Sequence, residues 1–589
     1  MKEVPTLRQF PSAGFDNSQV DMLNIRKVYF HGLYERTVQL ADGTLRTYKA
    51  YIPSTAAYGD DSCYVAVPDG VDTAEFLADS GWLDAAERPE NSFILFALEP
   101  AGQCWGTAEA EMDYISQAFA DISNKMGGGF RNLVFISDFN WRWAGYGRGG
   151  EMLTRFALQN PMFFASLAVV CDLCAIDNET LADAAKTCFV NTKGHIYEEW
   201  PNSRIPVPIW LMGCENTSLV DYWKTANDCL EDCLELKDGF LYRQNPLSTN
   251  LMTFDQKIGQ VRLSPGEDNF VDTTLTDRIV RFIQSFSRCG MNSPYGNMLY
   301  PTTPDSAFQR DTMLSDGRER EWYVKVPSSY DGKTPVPLVI YFHGHGQTGL
   351  IAMRQGGWWQ YGEEKGFITV CPTGSLPERT DNQLPLCAWR NGNFGKLGQP
   401  GVIPENRRWI EEADSEIDNR FVRAMLEKLF TQYNIDKTRI YITGQSNGCV
   451  MTQMMSEKGS DLFAAAASTG MAVQIALTQL PNFIVSGEYD ICPVTLTDNS
   501  HMNPSVAEDR FREALTLRGV DYESGGRFRN GIFDNMEWQD ERGVPVMRFC
   551  CVLGQAHSWR QNMCRVFWDE WFCRFSRDPD TGKILYTGK

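Results

Sequence analysis

Apolar residues fall in short runs set apart by polar turns, and the runs change period along the chain. Pro337-Leu-Val-Ile-Tyr-Phe342 is apolar without interruption, which predicts a strand buried on both faces. Phe421, Met425, Leu429 and Tyr433 recur at every fourth position and predict one face of a helix. Between Arg439 and Gln453 a short apolar strand, Ile440 to Thr443, runs into Gly444-Gln445-Ser446-Asn447-Gly448 and then into a Met-rich helical stretch. Strands alternating with helices predict an α/β fold with a mostly parallel sheet, whose sites lie at the carboxyl ends of the strands.

The same pattern occurs twice. Arg36 to Leu40, a turn at Ala41-Asp42-Gly43 and Thr47 to Pro53 return as Asp311 to Leu314, a turn at Ser315-Asp316-Gly317 and Glu321 to Pro327; Asp42 and Asp316 each precede their proline by 11 residues. Gly145-Tyr-Gly147-Arg-Gly149 parallels Gly444-Gln-Ser446-Asn-Gly448, and Pro208 to Asn216 parallels Asn482 to Asp490. The offset of 274 residues is common to Asp42/Asp316 and Gly213/Gly487, and each half closes on a predicted helix ending Phe-Ser-Arg, at 286–288 and 575–577. The expected organisation is an arm at 1–30, a domain at 31–290, a linker rich in Gly, Pro, Asn and Ser at 291–303, and a second domain at 304–589.

Composition narrows the partners. The chain has 589 residues, enough for two cores, with 43% hydrophobic and 12% aromatic content. A net charge of −20 disfavours nucleic acid and anionic membrane surfaces, both of which need clustered Lys and Arg. The first residues show no apolar leader and no run reaches transmembrane length, so the expected location is the cytoplasm. The 17 cysteines are scattered and mostly set in apolar runs; Cys171 and Cys174 form one C-x-x-C without a second pair, and no metal is expected.

Candidate chemistry gathers in the second half. Gly-x-Ser-x-Gly on a strand-to-helix turn has the form of a nucleophile elbow, which makes Ser446 the candidate nucleophile. Asp490 follows the strand Ile484 to Ser486, and His557 follows Val546 to Leu553. A serine hydroxyl needs an imidazole to take its proton and a carboxylate to hold that imidazole in the right tautomer, so Ser446, His557 and Asp490 form a candidate triad, with Glu488 as a rival acid. After the strand 337–342 comes His343-Gly344-His345-Gly346-Gln347, a loop able to aim a backbone N–H at a developing oxyanion; the N–H groups of His345 and Asn447 are the expected donors. Trp358, Trp389, Arg390 and Trp559 are candidate substrate contacts, the aromatics by stacking on a sugar or phenolic ring.

His343-Gly-x-x-Gln347, the elbow, Gly487-x-x-Asp490 and Gly554-x-x-His557-x-Trp559 together resemble the polyhydroxybutyrate depolymerase and feruloyl or acetylxylan esterase group of α/β-hydrolases. The resemblance covers about 311–576 well and 36–288 faintly. It implies an α/β-hydrolase fold in two tandem copies and hydrolysis of carboxylic esters through an acyl-enzyme on Ser446, without metal or organic cofactor. The implied partner is a small or oligomeric ester, from an acylated carbohydrate, a hydroxycinnamate or a hydroxyalkanoate. His345 stands where members of the group often have Cys.

The first half departs from this chemistry at each matching position: Gly147 replaces the serine, Asn216 the acid, Pro68-Asp69-Gly70 the oxyanion loop, and Ser264 to Asp268 contains no histidine. It is expected to keep the fold and lack the reaction. Two alternatives stand beside the esterase reading: a serine peptidase using the same triad, and a binding or assembly protein whose working part is the first half.

Overall fold

Asp316 and Gly317 both take positive φ, 51° and 72°, and close a two-residue turn of the kind that matches the twist of antiparallel strands. The turn joins Gln309–Ser315 to Arg318–Lys325; its counterpart joins Gly32–Gln39 to Leu45–Ile52. The computed structural model describes residues 4–11, 14–123, 129–191, 194–253, 256–289, 293–376, 384–389, 416–470, 475–490, 508–560 and 562–588, with 508–510 as backbone only. They divide into two compact units, 1–15 with 26–302 and 16–25 with 303–589.

In the second unit the described residues form a ten-stranded sheet, which begins with that hairpin, continues through six parallel strands and ends in a second antiparallel hairpin. The parallel strands lie in the spatial order Ile368–Pro372, Val336–Phe342, Ile435–Gln445, Ala465–Thr469, Asn482–Tyr489, Pro545–Ala556. The first unit has the same plan: a hairpin, then Phe93–Leu98, Asp61–Ala66, Arg142–Tyr146, Ser166–Val170, Ile209–Met212 and Gln260–Ser264 in parallel, then a hairpin of Cys229–Leu236 and Gly239–Gln244. In both, the second parallel strand in the chain precedes the first in space. That shared crossover, of α/β-hydrolase type, is what the sequence repeat encodes, and the chain is two tandem copies of one α/β design.

Side-chain alternation divides each sheet between two cores. Val339 and Tyr341 face the helices Gly349–Gln355, Trp358–Lys365 and Met563–Glu570, whereas Leu338, Ile340 and Phe342 face Ile417–Gln432 and Asn447–Lys458. Phe421, Met425 and Leu429 form the buried stripe of Ile417–Gln432, as their spacing predicts. Each such side chain contributes about 1.5–3 kcal/mol by leaving water.

The Phe-Ser-Arg motifs are not helical. The helix Thr273–Ile283 ends before Phe286, and Phe286–Cys289 is a strand paired antiparallel with Met298–Pro301; Phe575–Arg577 likewise pairs with Ile584–Tyr586. An apolar anchor at Phe286 and Phe575 serves a strand as well as a helix, so periodicity alone misplaced the helix ends. The pairing of Met298–Pro301 also gives the expected linker regular structure inside the first unit. Within the expected arm, Arg8 and Gln9 pair with Tyr34 and Glu35, while the Met22 carbonyl accepts the Glu319 N–H in the second unit. Among the described residues, no helix is long and apolar enough to cross a membrane.

Candidate active site

The strand Ile435–Gln445 lies between Val336–Phe342 and Ala465–Thr469, near the middle of its sheet. It ends at Ser446, and the helix Asn447–Lys458 starts at the next residue. Ser446 has φ 57° and ψ −118°, a conformation that L-residues seldom adopt. Two glycines make room for so sharp a turn. A Cβ on Gly448 would lie 2.0 Å from the Phe342 carbonyl oxygen, and one on Gly444 would lie 2.2 Å from that of Gly448. The Ser446 N–H donates to the Thr469 carbonyl at 2.8 Å, which fixes the turn against the neighbouring strand.

Two further strand ends bring the partners. Asp490 follows Asn482–Tyr489, and its carboxylate is buried. The register between this strand and Pro545–Ala556 slips between Gly487/Val552 and Tyr489/Ala556, so that four residues of the longer strand span two of its neighbour. Gly554, at φ 75°, lies in this bulge, and a bulge re-aims the side chains just beyond it. His557 is the residue so aimed. Its Nε2 lies 2.9 Å from Ser446 Oγ, and its Nδ1 lies 2.8 Å from Asp490 Oδ1. Glu488, the rival acid, instead accepts the Gly554 N–H at 2.7 Å and so ties the bulge to the acid-bearing strand.

The loop after Val336–Phe342 is held from within. Gly344 N–H donates to Gln347 Oε1 at 2.9 Å and Gly346 N–H to the Cys387 carbonyl at 2.8 Å. His343 is buried; its Nε2 accepts the Gly374 N–H at 2.8 Å and its Nδ1 lies 2.7 Å from the Gly344 carbonyl. Those partners define the neutral tautomer with the proton on Nδ1. Burial pushes its pKa down to about 4. His343 therefore shapes the loop as a neutral group. His345 and Asn447, the expected oxyanion donors, lie in this loop and at the first helical residue after Ser446.

The tryptophans correct the sequence reading. Trp358 packs between helices with Phe572, ring centroids 5.8 Å apart, and Trp559 packs on Tyr341 while donating its indole N–H to the Gly356 carbonyl at 3.0 Å. Trp389 is 2% exposed and donates its indole N–H to the His343 carbonyl at 3.0 Å. All three are core residues with no face left for substrate, because each lies between the sheet or loop and a covering element. Arg390 lies outside the described residues. Sequence reasoning missed Gly470, which follows Ala465–Thr469 at φ 90° and lies beside His557 and Ser446; its position after a strand of small residues was the available signal.

At matching places, the first unit carries different atoms. Gly147, at φ 51°, follows Arg142–Tyr146 and opens the helix Gly147–Gln159. A Cβ there would meet Pro68 at 3.6 Å and the Phe270 ring at 3.7 Å; Phe270 lies between Gln260–Ser264 and Thr273–Ile283, the stretch that carries the histidine in the second unit. Asn216 caps the helix Thr217–Ala226, its Oδ1 accepting from Leu219 N–H and its Nδ2 donating to the Leu173 and Ile176 carbonyls. Asp69 accepts the Trp105 N–H.

Residues 414–490, which hold the elbow and end at Asp490, match the model of the prolyl oligopeptidase family. A poly(3-hydroxyalkanoate) depolymerase C from Paucimonas lemoignei is 29% identical over 147 residues, 25% of this chain and 30% of that protein, so the chain spans less than a third of that relative's length. Among solved structures, an acetyl xylan esterase from Aspergillus awamori is similar at 15% identity and TM-score 0.32, covering 45% of this chain and 99% of that one. A ferulic acid esterase from Anaeromyces mucronatus, solved with ferulic acid, is similar at 16% identity and TM-score 0.27, covering 45% and 94%.

Proposed function

We propose that this serine hydrolase of the α/β-hydrolase fold cleaves carboxylic esters through Ser446, His557 and Asp490. The observation that carries the reading is the pair of contacts at His557, 2.9 Å to Ser446 Oγ and 2.8 Å to Asp490 Oδ1, at the end of a strand-turn-helix elbow. Ser446 Oγ attacks the ester carbonyl carbon while His557 Nε2 takes its proton. The negative charge that develops on the carbonyl oxygen is met by the N–H groups of Asn447 and His345. His557 then protonates the leaving alkoxide, and an acyl-enzyme remains on Ser446. Water, deprotonated by the same imidazole, releases the acid and restores the serine. Asp490 holds Nδ1–H and stabilises the imidazolium in both half-reactions.

The substrate class rests on the family resemblance and on the depolymerase relative: an acylated carbohydrate, a hydroxycinnamate ester or a hydroxyalkanoate oligomer. The first unit keeps the fold without a reacting serine, since Gly147 and Asn216 stand at the matching places and Phe270 packs beside Gly147. One specific observation favours a second reading, peptide hydrolysis: the prolyl oligopeptidase family model matches 414–490. That match covers the elbow and the acid, which ester and amide hydrolases share.

Intact-protein mass after exposure to a fluorophosphonate tests the chemistry, with wild type, Ser446→Ala and His557→Ala side by side. One adduct on wild type, absent from both variants, is expected; equal labelling of all three ends the assignment. Initial rates on p-nitrophenyl acetate, methyl ferulate, a hydroxybutyrate trimer and a prolyl p-nitroanilide then separate ester from amide, and turnover of the anilide alone overturns the ester reading.

A further inference from the structure

We infer that the Asn447 side chain, acting through Trp389, sets the spacing of the two oxyanion donors. The inference rests on the serine-hydrolase reading above. The donors belong to different strand ends, His345 to the loop after Val336–Phe342 and Asn447 to the turn after Ile435–Gln445. Both must point at one oxygen, and a displacement near 1 Å in such a site costs on the order of 10²-fold in rate.

Residues 384–389 bridge these two ends. On one side, the fully buried Asn447 carboxamide accepts the Trp389 N–H on Oδ1 at 2.6 Å and donates from Nδ2 to the Trp389 carbonyl at 3.4 Å. On the other, the Trp389 indole N–H reaches the His343 carbonyl at 3.0 Å, and the Cys387 carbonyl accepts the Gly346 N–H at 2.8 Å. Ala388, between them, exchanges two backbone hydrogen bonds with Ser375, at 2.9 and 3.0 Å. One residue before Ser375, Gly374 N–H is the donor to His343 Nε2. The bridge is thereby fixed to the elbow, to the oxyanion loop and to the stretch after Ile368–Pro372. An amide suits this position because one side chain must supply both an acceptor and a donor to a single residue's backbone.

Asn447 is thus a positioning residue through its side chain, whatever its own N–H does. Asn447→Leu keeps the branched skeleton and the backbone N–H, with methyls bulkier than the amide, but leaves the Trp389 backbone without its partner. Its kcat on p-nitrophenyl acetate should fall about 10- to 100-fold with KM within about threefold, as for an interaction made mainly in the transition state. Fluorophosphonate labelling of Ser446 should slow in step. Asn447→Asp offers a second, independent readout. As a neutral acid it reproduces the amide's acceptor and donor; as a carboxylate it opposes the Trp389 carbonyl. Burial favours the neutral form. Its activity relative to wild type should therefore fall as pH rises, a trend that a merely stabilising side chain would not produce.

Wild-type kcat and labelling in Asn447→Leu, or a flat ratio of Asn447→Asp to wild type across pH 5 to 9, would overturn the inference and leave the triad standing. A wild-type protein that takes no adduct overturns the triad first and this inference with it.

Discussion

Gly470 lies where any side chain would press on His557. A Cβ built on it would come within 3.0 Å of Cε1 and 3.3 Å of Nδ1, and within 3.4 Å of the Ser446 nitrogen. The backbone there also has φ 90°, which L side chains rarely tolerate. Gly470→Ala should cost about 1–3 kcal/mol of stability from the backbone alone. It should also push the imidazole off line and lower kcat by about 10²-fold. Urea unfolding and steady-state kinetics on one preparation measure both; an active, fully stable variant would contradict the packing described.

Asp490 and Glu488 differ in what they hold. Asp490 faces the imidazole, and Glu488 holds a backbone N–H in the bulge. Asp490→Asn should leave the fold intact and reduce kcat by a factor on the order of 10⁴, because the amide favours the wrong tautomer of His557. Glu488→Gln, which keeps an acceptor for Gly554 N–H, should have a far smaller effect. The reverse ranking would exchange their roles.

His343 gives the second unit an acid-sensitive stability. Its pKa is about 4 when folded, against 6.5 for an ordinary histidine, so the unfolded chain binds this proton more readily between those values. Stability from this group is fully present above pH 6.5 and is lost as pH falls towards 4. Between pH 7 and 4.5 the loss amounts to about 2 kcal/mol. Denaturant midpoints for wild type and His343→Gln over that range should converge as the pH drops, the variant having no proton to take up there.

Gly147→Ala probes the first unit. The added methyl meets Pro68 and Phe270 only at ordinary contact distance, and the positive φ costs about 1–2 kcal/mol. On the proposed reading, ester turnover should stay at the wild-type value, because that elbow faces Phe270 and bears no side-chain hydroxyl. A loss of turnover equal to that of Gly470→Ala would show that the first unit takes part in the reaction.

The three side chains that the structure brings together, Ser446, His557 and Asp490, were legible in the sequence because such a grouping constrains local pattern. A serine between glycines, an aspartate after one strand and a histidine after another leave marks within a few residues of themselves. The tandem design was legible too, since Asp-Gly turns and strand ends recur at one offset. The second rank of residues was not. Asn447 meets Trp389 across 58 positions, and Gly470 meets His557 across 87, so neither contact leaves a local trace. Trp358, Trp389 and Trp559 read as candidate substrate contacts because their segments could border the site, yet each is buried. The helix-to-strand change before Phe286 and Phe575 escaped for a related reason: one aromatic anchor satisfies either period.

The strained turn at Ser446 has a further meaning. A conformation that costs about 1–3 kcal/mol persists only while its surroundings enforce it. Here enforcement comes from Phe342 against Gly448 and from Thr469 on Ser446, contacts spanning three separate strands. Were any of those strands to loosen, nothing would hold the serine at this backbone angle, and its hydroxyl would be free to turn away from the imidazole. A partly unravelled molecule is therefore expected to lose the Ser446 geometry while most of its sheet is still formed.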